Sequence, residues 1–232
     1  MREFLTNDEL LEIDRLERQF SQTSPTNNKS FDENGYLIIK NIWDPNDLKR
    51  PVPLHRGRVT YYGKNIADFD YTPIEDQVVG SVATYWFPQY REIHSRLRKK
   101  IEKIIGCELY NTYYYDRFYF PGQALNYHVD RPACEISLTF HISSNTENPW
   151  PIGIKTPYNE DKYVILNEGD GMLYKGCERP HWRYPLELKQ PKKNLFSRFK
   201  KSEKDDTYYH QIFFHYVLAD GNYAQYAFDR GK

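Results

Sequence analysis

The spacing of hydrophobic residues changes period near Gly106. Before it, the segment PQYREIHSRLRKKIEKIIG carries apolar residues at helical spacing, with Pro88 near its first position and Gly106 as the stop. Beyond Gly106, apolar and polar positions alternate with the period of two that is typical of strands. The pattern predicts a long amphipathic helix followed by a β-rich region.

Several segments after Gly106 are strand-like, and Pro, Gly and Asn fill the gaps between them. They are ELYNTYYYDRFYF, ACEISLTFHIS, KYVILN, GMLYKG and TYYHQIFFHYVL. Runs of strands without alternating helices favour an antiparallel sandwich or jelly roll over a βαβ fold. The predicted fold class is therefore mainly β with flanking helices.

The N-terminal third contains shorter elements. TNDELLEIDRLERQF predicts an amphipathic helix, SQTSPTNNKS a polar linker, and FDENGYLIIKNIW a short strand introduced by Asn-Gly. Asp44 with Pro45 opens a small helix, and residues 51–86 read as loops with short elements. We expect residues 1–107 to pack as helical and strand elements on a core formed by residues 108–232, in one structural domain.

Composition excludes some functional classes. The chain has 232 residues with 32 basic and 32 acidic side chains, so it lacks the basic excess of a nucleic-acid-binding protein and we expect no nucleic-acid partner. No apolar run is long enough for a membrane span, and the start, MREFLTNDELLEIDR, is charged where a signal peptide is apolar. We expect a cytoplasmic protein without a membrane partner. Cys107, Cys134 and Cys177 form no CxxC pair, which argues against a disulfide framework or a zinc ribbon.

A basic segment interrupts what would otherwise be a hairpin near the C-terminus. Residues 189–204 contain one acidic residue, Glu203, and seven basic ones: Lys189, Lys192, Lys193, Arg198, Lys200, Lys201 and Lys204. We predict an exposed loop, and a mobile lid that contacts an acidic substrate is the alternative.

The candidate chemistry lies in the run His128-Val129-Asp130 and in His181 of ERPHWR. A strand places residues i and i+2 on one face, so His128 and Asp130 can point the same way. Two histidines and one carboxylate are the ligand set of non-haem Fe(II) oxygenases. The alternative is a surface turn carrying the first pair, with His181 bonded to a buried backbone group. Cys177 is a less favoured soft ligand, and His94 is placed at the surface or core edge.

The context of these residues resembles a known family. FYFPGQALNYHVD, NEGDGMLYKGCERPHW and the aromatic closing strand YYHQIFFHYV are similar, in order and spacing, to elements of the Fe(II)- and 2-oxoglutarate-dependent oxygenases, most of all the prolyl 4-hydroxylase-like branch. The resemblance covers about residues 108–218. It implies a double-stranded β-helix, that is, a cupin-like jelly-roll core.

The resemblance also implies a reaction. Fe(II) would be held by His128, Asp130 and His181, with 2-oxoglutarate as cosubstrate and O2 as oxidant. The enzyme would be a dioxygenase, an oxidoreductase that hydroxylates an unactivated C–H bond of a peptide or amino-acid substrate, with proline as the first candidate. No catalytic residue beyond the metal ligands is implied.

One part of the family pattern is missing. The family holds the distal carboxylate of 2-oxoglutarate with an Arg or Lys on the strand after the last iron ligand, but YYHQIFFHYV contains neither. Arg183, two residues beyond His181 and on the same strand face, is the best cationic substitute. The further candidates for cosubstrate binding are Gln211, His210 and, from an opposite strand, His141.

Two other functions stay open from the sequence. The missing anchor also suits a jelly-roll binding module without turnover, although such a module has no need of a complete metal triad. A cupin-like enzyme that uses another divalent metal is the second. His215 lies on the same strand face as Gln211 and is either a pocket residue or, more simply, a core histidine with its bonds satisfied.

Overall fold

The structure is a computed structural model that describes residues 23–61, 77–188 and 206–228. Within these ranges the α-helices are α1 (Lys29–Asn34) and α2 (Tyr90–Ile105). The strands, in chain order, are β1 (Tyr36–Ile39), β2 (Arg58–Tyr61), β3 (Val82–Tyr85), β4 (Leu109–Tyr119), β5 (Leu125–His128), β6 (Ile136–Ser144), β7 (Ile152–Lys155), β8 (Asp161–Val164), β9 (Gly171–Tyr174), β10 (His181–Arg183) and β11 (Tyr209–Leu218). Short 3-10 turns cover Pro45–Asp47, Pro132–Cys134 and Ala224–Tyr226.

The strands form two sheets. The major sheet has seven strands in the order β1-β9-β6-β11-β4-β3-β2, and the minor sheet has four in the order β5-β10-β7-β8. Every pairing is antiparallel except that of β2 with β3. This architecture confirms the predicted jelly roll, a mainly β fold with few helices.

Helix α2 covers the outer face of the major sheet. Its buried residues Leu97 and Ile101 belong to the largest hydrophobic cluster, together with Phe214 of β11. Gly106 ends the helix in the left-handed region, with φ of 67°, and its N–H donates to the carbonyl of Glu102. The sequence prediction of this helix and of its stop is confirmed.

Alternation along β11 separates the two faces of the major sheet. Ile212 and Phe214 join the cluster under α2, whereas Gln211 and Phe213 point to the interior between the sheets. No helix within the described ranges has the length and apolar character needed to cross a membrane.

Some of the other sequence predictions are confirmed, and others are wrong or stay predictions. The short strand introduced by Asn34-Gly35 is confirmed and begins at Tyr36. The residues before it form a short helix that was not predicted, which Asn28 caps at Phe31 N and Gly35 ends with φ of 75°. The turn at Asp44 is confirmed. A strand carrying both His128 and Asp130 was predicted, but β5 ends at His128 and Asp130 lies beyond it. Strand β7 was not predicted. The predicted helix at residues 6–20 and the basic segment at 189–204 lie outside the described residues. The division at residue 107 stays a prediction, and β1, β2 and β3 all join the major sheet.

Candidate metal centre and adjoining pocket

The three predicted ligands come together at one end of the minor sheet. His181 on β10 is the direct cross-strand partner of His128 on β5, and their ring centroids are 4.3 Å apart. Asp130 follows β5, and its Oδ1 lies 3.6 Å from the Nε2 atoms of both histidines. The ligand atoms of all three residues lie within 4.8 Å of one another and form a group that could hold a metal ion.

Backbone carbonyls fix the orientation of both imidazoles. Nδ1 of His128 donates to the carbonyl of Asn126 at 2.7 Å, and Nδ1 of His181 donates to the carbonyl of Arg179 at 3.0 Å. A carbonyl oxygen only accepts, so each Nδ1 carries a proton, and each ring presents the Nε2 lone pair when it is neutral. Both lone pairs are thereby available to a metal.

The two oxygens of the Asp130 carboxylate likewise have different roles. Its Oδ2 accepts from Ser137 Oγ at 3.1 Å and lies 3.4 Å from the Tyr174 hydroxyl. Its Oδ1 faces the two histidines. One oxygen is thus held by the protein while the other completes the candidate ligand set.

Gly176 makes this position of Asp130 possible. The backbone N–H of Asp130 donates to the Gly176 carbonyl at 2.9 Å. A Cβ at Gly176 would lie 2.6 Å from Asp130 Oδ2 and 2.3 Å from the Cys134 carbonyl oxygen. Only glycine therefore lets the turn before His181 approach the carboxylate so closely.

The charge states of the free site suit metal binding. Burial lowers the pKa of His181 to about 4, with Asp130 opposing the shift. The pKa of Asp130 lies below its ordinary value. Burial alone would raise it, but the charge of His181 and the hydrogen bond from His128 outweigh burial. His128 moves the other way: its pKa is raised because Asp130 outweighs its burial. The carboxylate stays ionised, and His181 stays neutral near pH 7.

The donor set fits Fe(II). If two imidazole nitrogens and one carboxylate oxygen bind one side of a metal ion, the coordination positions on its other side stay open, as in facial-triad iron sites. The side chains of His128 and Asp130 are only 24% and 14% exposed, and Asp130 Oδ1 faces His181, so the alternative of a surface turn that carries the first pair does not describe the site. Cys177 is not part of this ligand group, and its Sγ lies 3.2 Å from the Arg131 carbonyl oxygen. Cys134 and His215 form a second group around the same Asp130.

A cluster of buried side chains around Arg183, called here the Arg183 pocket, adjoins the centre along β10. Arg183 is 2% exposed. Its Nη1 donates to the Trp150 carbonyl, its Nη2 donates to Gln211 Oε1 at 2.9 Å, and Nη2 lies 3.5 Å from the Tyr209 hydroxyl. The guanidinium carbon lies 4.4 Å from the Trp150 ring centroid and 4.7 Å from that of Tyr209. Aromatic rings and neutral polar groups therefore surround the cation.

Arg183 pairs with no carboxylate in the part of the chain that the structure describes, and its Nε has no hydrogen-bond partner there. Removing a guanidinium from water is costly unless an anion accompanies it. His141 borders the same pocket, stacked on Tyr209 with ring centroids 4.2 Å apart. The pocket is thus suited to an anionic group brought by a ligand.

His210 is not brought to this pocket. It is fully buried on the opposite face of β11, with Nε2 at 2.7 Å from Asp116 Oδ2 and its ring stacked on Phe118 at 3.7 Å. Adjacent residues of a strand point to opposite faces, so His210 and Gln211 cannot share the pocket. The structure brings Arg183, Gln211 and His141 together and separates His210 from them.

Aromatic side chains form a wall on the interior face near Asp130. Phe213 and Tyr115 stack at 4.6 Å, and the Tyr113 ring lies 4.5 Å from that of His215. His215 Nδ1 lies 2.9 Å from Ser137 Oγ, whereas its Nε2 is buried without a partner in the described structure. His215 is therefore a buried histidine with one nitrogen that has no hydrogen-bond partner among the described residues.

Sequence reasoning missed four residues of the site: Ser137, Tyr174, Trp150 and Thr139. The hydroxyl of Thr139 accepts from Gln211 Nε2 at 3.3 Å. Ser137 and Thr139 alternate with buried apolar residues of β6, so their period of two was an available signal for interior polar positions. Trp150 contributes its backbone carbonyl to Arg183 from a loop, a role that no sequence pattern indicates.

Comparison with known proteins gives the fold. No protein-family model matches the chain, and neither does any curated protein. Among solved structures, a prolyl-4-hydroxylase from Pseudomonas putida is 11% identical with a TM-score of 0.51, over 82% of this chain and 95% of that one. A prolyl hydroxylase from Trichoplax adhaerens, in complex with a hypoxia inducible factor peptide fragment, is 11% identical with a TM-score of 0.51, over 94% and 96%.

A third similar structure is the non-heme α-ketoglutarate-dependent epimerase SnoN of nogalamycin biosynthesis. It is 9% identical with a TM-score of 0.53, over 90% of this chain and 85% of that one. The chain therefore has the jelly-roll fold of 2-oxoglutarate- and Fe(II)-dependent oxygenases, prolyl hydroxylases among them. At these identities the likeness concerns the fold, and the reaction must be argued from the site.

Proposed function

We propose that this protein is an Fe(II)- and 2-oxoglutarate-dependent dioxygenase that hydroxylates an unactivated C–H bond of a peptide or amino-acid side chain. The observation that carries the proposal is the convergence of His128 Nε2, Asp130 Oδ1 and His181 Nε2 beside a buried Arg183 that pairs with no carboxylate of the described residues. When bound, Fe(II) supplies the activation of O2 that is coupled to the oxidative decarboxylation of 2-oxoglutarate to succinate and CO2.

In this proposal Arg183 holds the distal carboxylate of the cosubstrate. A guanidinium paired with a carboxylate forms charge-assisted hydrogen bonds, which select a dicarboxylate over a monocarboxylate. Gln211 orients Arg183 through its Oε1, and Tyr209 stacks on the guanidinium and keeps water from it. His141 completes the proposed cosubstrate pocket.

The proposed substrate position is the interior wall beside Asp130. Tyr113, Tyr115 and Phe213 present aromatic surface there, which suits a small apolar ring. The two prolyl hydroxylases that share the fold act as a guide to the first compounds to try. Proline-containing peptides are therefore the first candidates.

The first test is an anaerobic titration of Fe(II)-loaded protein with 2-oxoglutarate, read by the visible metal-to-ligand charge-transfer band. We expect a saturable band in the wild type and none in Asp130→Ala or His181→Ala. His55, an exposed histidine, gives the matched control His55→Ala, in which the band should be unchanged. Iron bound without any band would contradict the proposal.

The second test is turnover with proline-containing peptides. We expect iron-dependent succinate formation together with a product heavier by one oxygen atom. Succinate formation that survives both His128→Ala and Asp130→Ala would contradict the assignment of the iron ligands.

A further inference from the structure

His141 borders the Arg183 pocket through two residues that contact Arg183, Gln211 and Tyr209. It stands on the interior face of β6 as the cross-strand partner of Gln211 on β11. Its ring stacks on Tyr209 with an interplanar angle of 12°, and Tyr209 in turn lies against the Arg183 guanidinium. At 5% exposure, His141 is part of the pocket wall and is shielded from solvent.

The hydrogen bonds of His141 define its state in the free pocket. Its Nδ1 lies 2.8 Å from the Leu166 carbonyl oxygen, which only accepts, so Nδ1 carries a proton. Nε2 is buried and has no hydrogen-bond partner among the described residues. In the neutral ring Nε2 is an acceptor, whereas in the imidazolium it is a donor.

The charged groups around His141 favour the neutral ring while the pocket is free. Burial and the charge of Arg183 lower the pKa of His141 to about 4, with Glu168 opposing them. The other nearby acid is Asp170, whose carboxylate is engaged by a lysine ammonium 2.7 Å away. Tyr209 contributes a neutral phenol, because burial raises its pKa. At pH 7 the described residues of the free pocket therefore include the Arg183 cation and a neutral His141.

A carboxylate bound to Arg183 reverses this preference. The lone pair of a neutral Nε2 would repel a carboxylate oxygen, whereas a protonated Nε2 would donate to it. We propose that His141 is the second contact to the distal carboxylate of the cosubstrate and takes up one proton from solvent when that carboxylate binds. The inference rests on the proposed function, since the carboxylate is that of 2-oxoglutarate.

The proton balance is simple. Binding forms one N–H bond at Nε2, using a proton from the buffer, and breaks no covalent bond. When the succinate product leaves, the proton returns to solvent. Affinity for 2-oxoglutarate should therefore rise as the pH falls from the pKa of His141 in the complex toward about 4, its value in the free protein.

The test is anaerobic calorimetry of the Fe(II)-loaded, full-length protein titrated with 2-oxoglutarate at about pH 6. Repeating the titration in buffers of different ionisation enthalpy gives the number of protons taken up. We expect an uptake near one proton per bound 2-oxoglutarate in the wild type. Where the linkage is complete, the Kd should increase by up to roughly tenfold for each unit by which the pH is raised. This measurement needs no variant.

His141→Gln isolates the source of the proton. The Gln amide can donate to the carboxylate without being protonated, so the variant should bind 2-oxoglutarate with proton uptake near zero and a Kd that hardly changes with pH. His55→Gln, at an exposed position, is the matched control and should keep the wild-type uptake.

The outcomes separate this inference from the proposed function. Binding of 2-oxoglutarate without proton uptake in the wild type, or with undiminished uptake in folded His141→Gln, would overturn the role of His141 and leave the dioxygenase assignment standing. Iron-loaded protein that gives neither binding heat nor a charge-transfer band with 2-oxoglutarate would overturn the proposed function itself.

Discussion

Arg183 on β10 donates from Nη2 to Oε1 of Gln211 on β11 at 2.9 Å. Gln211 stands on the closing strand, where the family resemblance leads one to expect the basic residue that grips 2-oxoglutarate. The cation thus comes from a strand of the opposite sheet, and the closing strand supplies a neutral side chain that orients it. A pocket of this kind can still hold a dicarboxylate.

Arg183→Gln should weaken 2-oxoglutarate binding strongly and leave iron binding intact. Loss of a buried, charge-assisted pair costs about 1.5–3 kcal/mol, which corresponds to roughly ten- to a hundredfold in Kd. The anaerobic charge-transfer titration measures this directly. Arg183→Lys should recover part of the affinity, because it restores the charge without the fork of donors.

Arg96 offers the control for this experiment. Its side chain is 64% exposed and pairs with Glu92 on the surface of α2. Arg96→Gln should leave the Kd of 2-oxoglutarate unchanged. If Arg183→Gln binds 2-oxoglutarate within threefold of the wild type, the anchor lies elsewhere.

Ser137→Ala should lower metal affinity without unfolding the protein. The Ser137 hydroxyl holds Oδ2 of Asp130 at 3.1 Å, and without it the carboxylate is free to turn away from the histidines. Removing such a supporting contact costs about 10- to 100-fold in metal affinity. Competition between Mn(II)-loaded protein and a chelator measures the change, with exposed Ser30→Ala as the control. Equal affinities in Ser137→Ala and wild type would show that Tyr174 alone holds the carboxylate.

Acid should destabilise the metal-free protein partly through His94. Burial lowers the pKa of His94 to about 3, well below its ordinary value of 6.5. Between these two pH values the unfolded chain binds a proton that the folded protein does not, so the stability falls as the pH is lowered through this window. The expected slope from one such histidine is about 1.4 kcal/mol per pH unit.

Urea unfolding at several pH values from about 6.5 to 4, with a chelator present, measures this slope. His94→Gln keeps a donor for the His215 carbonyl, which His94 Nε2 contacts at 3.0 Å, and removes the titration. The variant should show a shallower slope, and His55→Gln the wild-type one. Identical slopes in His94→Gln and wild type would contradict the assignment.

Local patterns account for the parts of this fold that the sequence predicted. The 3.6-residue period and the glycine stop specify α2, and alternation specifies the long strands β4, β6 and β11. His128 and Asp130 could be grouped because their spacing is itself a strand pattern. Each of these signals lies within a few consecutive residues.

The sequence predictions are wrong where the position of a residue depends on contacts with distant parts of the chain. His94 was placed at the surface or core edge, yet it is buried, with its ring stacked on Phe214 at 5.5 Å. It follows Tyr90 by four residues and precedes Leu97 by three, so it belongs to the apolar stripe of α2. His210 and Gln211 were grouped although neighbours on a strand face opposite ways. Strand β7 has four residues, of which the first three are all buried, and it is too short for a pattern to specify it, so its pairing with β10 and β8 defines it.

The pairing of β7 with β10 gives the last prediction. Gly153 is the cross-strand partner of Trp182, which directly follows the ligand His181. A Cβ at Gly153 would lie 2.3 Å from Trp182 Cε2, so Gly153→Ala must displace the indole and with it β10. We expect destabilisation of roughly 1–3 kcal/mol in urea unfolding and weaker Mn(II) binding, since His181 moves with its neighbour. Trp182→Leu removes the clash, so Gly153→Ala should cost less in that background than in the wild type. Additive effects of the two substitutions would show that the indole ring does not transmit the change to the metal centre.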